Sequence, residues 1–219
     1  EVHDILQALR AASRIAAAAL IHKEEAIVAP KDLIPYLGTG EHTGREGNLA
    51  YHNSLMVQFW SALATRSTSL MTHILKTHFP TRFENATWAT YLRCHDDIGW
   101  AITDEDAWAR DLSGAAHRNF LADFYTGAFP GSFARGALFQ ANPTTGDKRN
   151  SGSCASMCGL ESALSAGDAD GVATAIQRIL MGHALIASFG GVPLLYMGDE
   201  IGLLNDLSYL DNPDHKHDS

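Results

Sequence analysis

Residues 88–97 read Trp-Ala-Thr-Tyr-Leu-Arg-Cys-His-Asp-Asp. The first seven are rich in strand formers and the last three are ionisable. The same arrangement, a short apolar strand running straight into polar residues, recurs along the chain. Ala16-Ala-Ala-Ala-Leu-Ile21 is continuously apolar and leads into His22-Lys-Glu-Glu25, which predicts a strand buried on both faces. Leu49-Ala-Tyr-His52 precedes Asn53, and Val192-Pro-Leu-Leu-Tyr-Met197 ends in Gly198-Asp199-Glu200.

Helical patterns separate these strands. Val2, Ile5, Leu6, Leu9 and Ala12 recur at three- and four-residue spacing over residues 2–14. Asn53 is the expected N-cap of a helix reaching about Ala64, and a second helix is expected over Ser69 to Thr77. A third, Gly171 to Ser188, is expected to turn Val172, Ile176, Ile179, Leu180, Leu185 and Ile186 to the core. Strands alternating with helices imply a parallel sheet. Four strands with ionisable C-terminal ends predict an α/β fold, part of a (β/α)₈ TIM barrel, whose active site lies at that end. A doubly wound sheet is the alternative, but no strand is followed by GxGxxG.

More residues separate His95 from Val192 than one strand-to-helix connection needs. Residues 98–164 are therefore read as an inserted subdomain with a compact satellite core, glycines alternating there with Phe124, Tyr125, Phe129, Phe133 and Phe139. Residues 1–97 form the preceding barrel units, and 165–219 the last helix, the last strand and its following loop.

The 219 residues are 46% hydrophobic and carry a net charge of −9, with enough aromatic residues to fill a core. The carboxylate surplus disfavours nucleic acid as a partner, since phosphate affinity comes from Lys and Arg. The longest apolar stretch, Met181 to Gly198, contains His183, Pro193 and two glycines, so no membrane span is expected. The start lacks a basic region ahead of an apolar one, and localisation stays open between cytoplasmic and secreted. Cys94, Cys154 and Cys158 are expected to be buried fillers, and His52, His73, His78 and His183 lack metal-like spacing, so no metal site is expected.

Glycosyl transfer with retention needs a carboxylic acid for the leaving oxygen and a carboxylate nucleophile about 5 Å away. Glu25 suits the acid, because an apolar strand end would keep its carboxyl protonated. Glu24 and Glu25 face opposite ways in a strand, so only one enters a given pocket. Asp96 is a candidate to hold charge against a developing cation, His95 a second hydrogen-bonding group, and Asp97 is expected to turn elsewhere. The same His-Asp pair would suit a metal phosphohydrolase, but that context is helical. Arg149, in a loop, has the chemistry to grip vicinal hydroxyls. Asp199 and Glu200 either face the site mouth or cap the following segment.

Five stretches carry a resemblance: Lys23-Glu-Glu-Ala-Ile-Val28, Arg93-Cys-His-Asp-Asp-Ile-Gly-Trp100, Gly131-Ser-Phe-Ala-Arg-Gly136, Asn142-Pro-Thr-Thr-Gly-Asp147 and Pro193-Leu-Leu-Tyr-Met-Gly-Asp-Glu-Ile-Gly-Leu-Leu-Asn-Asp206. Over its whole length the chain resembles the amylosucrase branch of the α-amylase family, glycoside hydrolase family 13. The resemblance implies strands five to eight of the barrel, with the insertion between strands seven and eight. It implies Glu25 as general acid/base and His95 with Asp96 as the pair that binds the glucosyl ring and stabilises the transition state. Asp97, Arg149, Gln140 and Arg118 would hold the fructosyl unit or the acceptor. The implied substrate is sucrose, the acceptor an α-1,4-glucan or maltooligosaccharide, and no cofactor is needed.

Two family elements, a nucleophilic Asp in an Arg-x-Asp-Ala motif and an Arg that shapes the glucosyl pocket, match nothing in residues 1–24 or near Ser219. With its first methionine at Met56, the chain reads as an excerpt of a longer enzyme, expected to be inactive alone. A sucrose hydrolase of the same branch and a non-catalytic carbohydrate-binding fragment are the rival readings.

Overall fold

The computed structural model describes residues 2–26, 28–79 and 83–215. In chain order its main elements are α1 (Val2–Ala16), β1 (Lys23–Glu24), α2 (Pro30–Leu33), β2 (Leu49–Tyr51), α3 (Asn53–Thr65), α4 (Ser69–His78) and β3 (Thr87–Tyr91). There follow β4 (Ile98–Gly99), α5 (Asp104–Trp108), α6 (Gly114–Thr126), β5 (Ala137–Ala141), β6 (Lys148–Ser151), α7 (Cys154–Met157), α8 (Leu160–Ala166), α9 (Ala169–Ser188) and β7 (Val192–Leu194).

β1, β2, β3 and β7 form one parallel sheet in that order. The register sets Lys23 beside Leu49, Leu49 beside Thr87, and Ala89 beside Val192, so every strand points its C-terminal end the same way. α3 with α4, and α9, supply the helical crossovers that parallel pairing requires.

The first strand falls later than the sequence predicts. Ala16 closes α1, the chain turns through a Leu20 N–H to Ala17 carbonyl bond, and Ile21 is 61% exposed. Alanine is the strongest helix former, so the run feeds α1 and a turn. β1 lies at the sheet edge, and its ladder begins only at His22, whose carbonyl accepts from Asn48 and Leu49.

α3 is capped by His52, one residue before the expected Asn53: the His52 Nδ1 accepts from the Leu55 N–H at 3.2 Å. α9 buries part of the face predicted, shifted toward its small residues. Ala175, Gly182 and Ile186 are buried, with Ile179 and Leu185 packed against the core, whereas Ile176 and Leu180 are exposed. Gly182 decides this, because the missing Cβ leaves room for Leu92 and Phe59 to press on the helix backbone.

Residues 98–164 carry an antiparallel sheet in the order β4-β6-β5. They do not close the satellite core expected of them. Ile98, Trp100, Leu121, Tyr125 and Met157 belong to one cluster with Trp60, Leu92 and Ile186. Tyr125 packs edge-on to Trp60 with centroids 5.3 Å apart, and its hydroxyl donates to the Trp60 carbonyl. Of the aromatic residues expected to fill a separate core, Tyr125 joins the insertion to α3, while Phe124 meets Phe129 and Phe133 within the insertion. Leu33, Leu37, Ala50 and Trp88 make a second, smaller cluster around α2. Cys94, Cys154 and Cys158 are free and buried.

Candidate active site at the strand ends

Beyond the C-terminal ends of β1, β2 and β3 lies a hollow of about 60 Å³ lined by Glu25, Tyr51, Asn53, Tyr91, Cys94, Asp96, Asp97, Gly99 and Arg149. Glu25 follows β1 directly. Its side chain is 45% exposed, with Oε1 3.3 Å from His95 Nε2 and Oε2 3.9 Å from Lys23 Nζ. The apolar enclosure expected at this strand end is therefore replaced by a cation and an imidazole. Glu24 faces away, against the Gly47 backbone position, where burial raises its carboxyl above the usual range and the nearby Glu46 adds to the effect.

The loop after β3 delivers two carboxylates to one place. Arg93 holds this loop: its Nε donates to the Gly152 carbonyl and its Nη2 to the Asp96 carbonyl, both at 2.8 Å. Asp97 does not turn elsewhere. It lines the hollow beside Asp96, whose Oδ1 accepts its N–H at 2.8 Å, and its side chain is only 4% exposed. Burial and the Asp96 carboxyl push Asp97 up. Burial acts the same way on Asp96, but hydrogen bonds from Asp97 and the charges of His95 and Arg149 outweigh it and hold Asp96 below the ordinary value. Two neighbouring carboxyls are thereby separated, with Asp96 the more firmly ionised.

Arg149 reaches the hollow through the insertion. β4 and β6 pair so that Gly99 lies opposite Arg149, and the guanidinium stands 3.3 Å from Asp97. Arg149 also lines two adjoining cavities. One, of about 640 Å³, includes Gln140; the other, of about 400 Å³, includes Arg118 and Trp100.

Gln140 and Arg118 thus sit outside the hollow that joins Glu25 to Asp96. Arg118 is bound to the scaffold, with its Nε donating to Asp147 at 2.8 Å and its Nη1 to Asp104 at 3.0 Å and to the Ile102 carbonyl. Burial lowers its pKa but these two carboxylates more than compensate, so the guanidinium is held in place as a cation. His95 is largely exposed and reaches the hollow only through Glu25. Asp199 pairs with His183 of α9 at 3.5 Å and lines, with His95, a neighbouring cavity of about 250 Å³, whereas Glu200 accepts from the Gly198 N–H and serves the local turn.

Three lining residues carry no motif that singles them out in the sequence. Tyr51 and Tyr91 meet edge-on with centroids 5.0 Å apart, and Lys23 donates to the Tyr51 hydroxyl at 2.6 Å. The Tyr91 hydroxyl points to Asn53 Oδ1 at 3.4 Å. The tyrosines' one signal is their place, since each is the last residue of its strand. The hollow thus combines carboxylates, one guanidinium and flat aromatic walls, a set suited to a polyhydroxylated neutral ring.

No protein-family model matches the chain. Among solved structures it is similar to the crystal structure of sucrose 6F-phosphate phosphorylase from Thermoanaerobacter thermosaccharolyticum, with a TM-score of 0.56 and 15% sequence identity. The match covers 100% of this chain and 38% of that one. At that identity the likeness is one of fold: a mixed α/β chain with a four-stranded parallel sheet, consistent with part of a (β/α)₈ barrel, spanning well under half the length of the enzyme it matches.

Proposed function

We propose that this chain belongs to a retaining, sucrose-cleaving glucosyltransferase of the α-amylase family, of the amylosucrase type, which builds α-1,4-glucan and releases fructose. The observation that carries the reading is the convergence of Glu25, Asp96, Asp97 and Arg149 on one hollow at the C-terminal ends of parallel strands. The solved enzyme that shares the fold, a sucrose 6F-phosphate phosphorylase, supports sucrose chemistry for this site.

In this reading Glu25 protonates the fructosyl oxygen as the glucosyl bond breaks, then takes the proton of the acceptor's 4-hydroxyl as the glucan is extended. Asp96, held ionised by its neighbours, faces the oxocarbenium-like charge. His95 orients Glu25 and hydrogen-bonds the glucosyl ring. Asp97 and Arg149 grip hydroxyls of the fructosyl unit or acceptor, while Arg118 supports the same wall and Gln140 lies further along the acceptor path. Tyr51 and Tyr91 form the buried floor beneath the ring, with Lys23 over the Tyr51 face. The covalent glucosyl ester needs one more carboxylate, which this reading assigns to a part of the enzyme other than residues 2–215. The inserted subdomain, residues 98–164, contributes Arg149 to the site and sits between the seventh and eighth strands of the barrel.

Incubating the full-length protein with sucrose tests this. Fructose together with α-1,4-glucan supports it, equimolar glucose and fructose marks the sucrose hydrolase instead, and failure to consume sucrose overturns both.

A further inference from the structure

Away from the hollow, α1 and the segment before β2 meet at a cluster of His3, Gln7, His42 and Glu46. Glu46 is 1% exposed, and no Lys or Arg among the described residues pairs with its carboxylate. Arg10 donates instead to the Glu46 backbone carbonyl. Oε1 is met by His3 Nδ1 at 2.6 Å and by Gln7 Nε2 at 3.1 Å, whereas Oε2 is buried without a hydrogen-bond partner among the described residues. A buried carboxylate with an idle oxygen is costly unless a cation faces it. One nitrogen from each imidazole and one carboxylate oxygen lie within 4.8 Å of one another.

We propose that His3, His42 and Glu46 bind a divalent transition-metal ion, Zn²⁺ first among them, which clips α1 to the segment leading into β2. Two imidazoles and a carboxylate are a borderline-soft donor set that suits zinc over calcium or magnesium. Tetrahedral bonds of about 2.0–2.2 Å set ligand atoms roughly 3.4 Å apart. His3 Nδ1 and Glu46 Oε1, now 2.6 Å apart, must therefore separate to admit the ion, His42 Nδ1 at 3.8 Å from Oε1 must close, and the imidazoles must tilt from their parallel stack, now 4.2 Å between centroids. Both rings are partly exposed, 33% for His3 and 28% for His42, which leaves the ion a path in and a water a place on the fourth position. Gln7 Nε2 donates to Glu46 Oε1 at 3.1 Å and so orients the carboxylate; it also stands 2.8 Å from His42 Nδ1 and releases that nitrogen when the ion takes it. None of these residues lines the hollow, so the site is structural and independent of the proposed glucosyl transfer.

The test uses the untagged full-length protein, stripped with chelator, titrated with Zn²⁺ against a chromophoric competitor and desalted for metal analysis. The wild type should retain one zinc more per chain than His3→Gln or His42→Gln, and each variant should bind that ion at least about tenfold more weakly. Zinc should raise the thermal unfolding midpoint of the wild type and not of the variants. His73→Gln, at a histidine on α4 outside the cluster, should retain zinc as the wild type does. Because His3 and His42 are partly exposed, their variants keep the fold even if Glu46→Gln does not. Equal zinc retention in wild type and both variants, or none in any, overturns the site and leaves the hydrogen bonds from His3 and Gln7 as the only partners of the Glu46 carboxylate among the described residues.

Discussion

Glu24 and Glu25 differ by one position and by everything that matters for chemistry. Strand alternation sends Glu25 to the hollow and Glu24 to the Gly47 backbone, so charge removal at the two sites has different consequences. If Glu25 is the acid/base of the proposed transfer, Glu25→Gln, which keeps shape and hydrogen-bonding but cannot carry the proton, should lower sucrose turnover by the full-length protein about 10²–10⁴-fold. Glu24→Gln should leave turnover within about threefold, since a side chain outside the hollow touches no transition state and costs little catalysis. Initial rates of fructose release check both, and equal losses in the two variants would sink the assignment. Arg149 is likewise testable at this scale. It borders the hollow and both adjoining cavities, so Arg149→Ala should raise the KM for sucrose more than it lowers kcat if the guanidinium grips the fructosyl unit.

At the scale of elements, close approach is set by what side chains leave out. A Cβ at position 182 would stand 2.5 Å from Leu92 Cδ1 and 2.8 Å from Phe59 Cζ, and both neighbours are buried. Gly182→Ala gains about 1 kcal/mol of helix propensity but overpacks a filled core at about 1–3 kcal/mol. The net effect should be a loss of stability, read as a lower urea midpoint with unchanged slope; a higher midpoint would show that α9 can slide. The same glycine explains why the helix is legible in the sequence and its buried face only in part: apolar periodicity marks residues 171–188 as helix and places Ile179, Leu185 and Ile186 at the core, yet a contact made by an absent side chain has no hydrophobic signal. β2, β3 and β7 are readable because each is an apolar run closed by polar residues, and β1 is misplaced because an alanine run fits helix as well as strand. Within the site, Glu25 and Asp96 are readable from their positions at strand ends, whereas Asp97, expected by alternation to turn elsewhere, is brought in by the loop after β3. The arrival of Arg149 depends on the β4-β6 register, and Gln140 falls outside the hollow on β5, because antiparallel pairing within the insertion leaves no trace in local pattern; Arg118 is held away on α6 by Asp104 and Asp147. His3, His42 and Glu46 lie on two segments about forty residues apart, a separation that no ligand-spacing rule detects.

Over the whole molecule, two histidines of opposite electrostatic character should shape stability against pH. His52, wedged among Phe79, Trp88 and Phe189, has its pKa pushed down to about 3 by burial. His183, which joins α9 to the turn after β7, is raised to about 9, chiefly by its hydrogen bond to Asp199. For His52 the unfolded chain takes up a proton near pH 6.5 that the folded chain refuses, so stability is full above 6.5 and falls on acidification by up to about 1.4 kcal/mol per pH unit. His117, also lowered by burial, adds in the same direction. For His183 the sign reverses: the contribution is complete below 6.5 and disappears as pH rises through about 9, and since the pair is partly solvated it amounts to about 1 kcal/mol. Asp96, Asp106 and Asp147, all lowered, lose their contributions only below about pH 4, and the raised thiols of Cys94 and Cys154 act only above about pH 9. Glu24 and Asp97, raised by burial, gain stability on acidification and so temper the acid limb without moving the alkaline one; the two histidines set the opposing limbs, and stability should be greatest near pH 6.5. Urea midpoints between about pH 5 and 8.5 should trace that maximum. His183→Gln should flatten the alkaline limb alone, and His52→Asn, which retains an N-cap for α3, should reduce the acid limb alone. A variant that shifted both limbs equally would show that these groups titrate as in water and that the fold does not separate them.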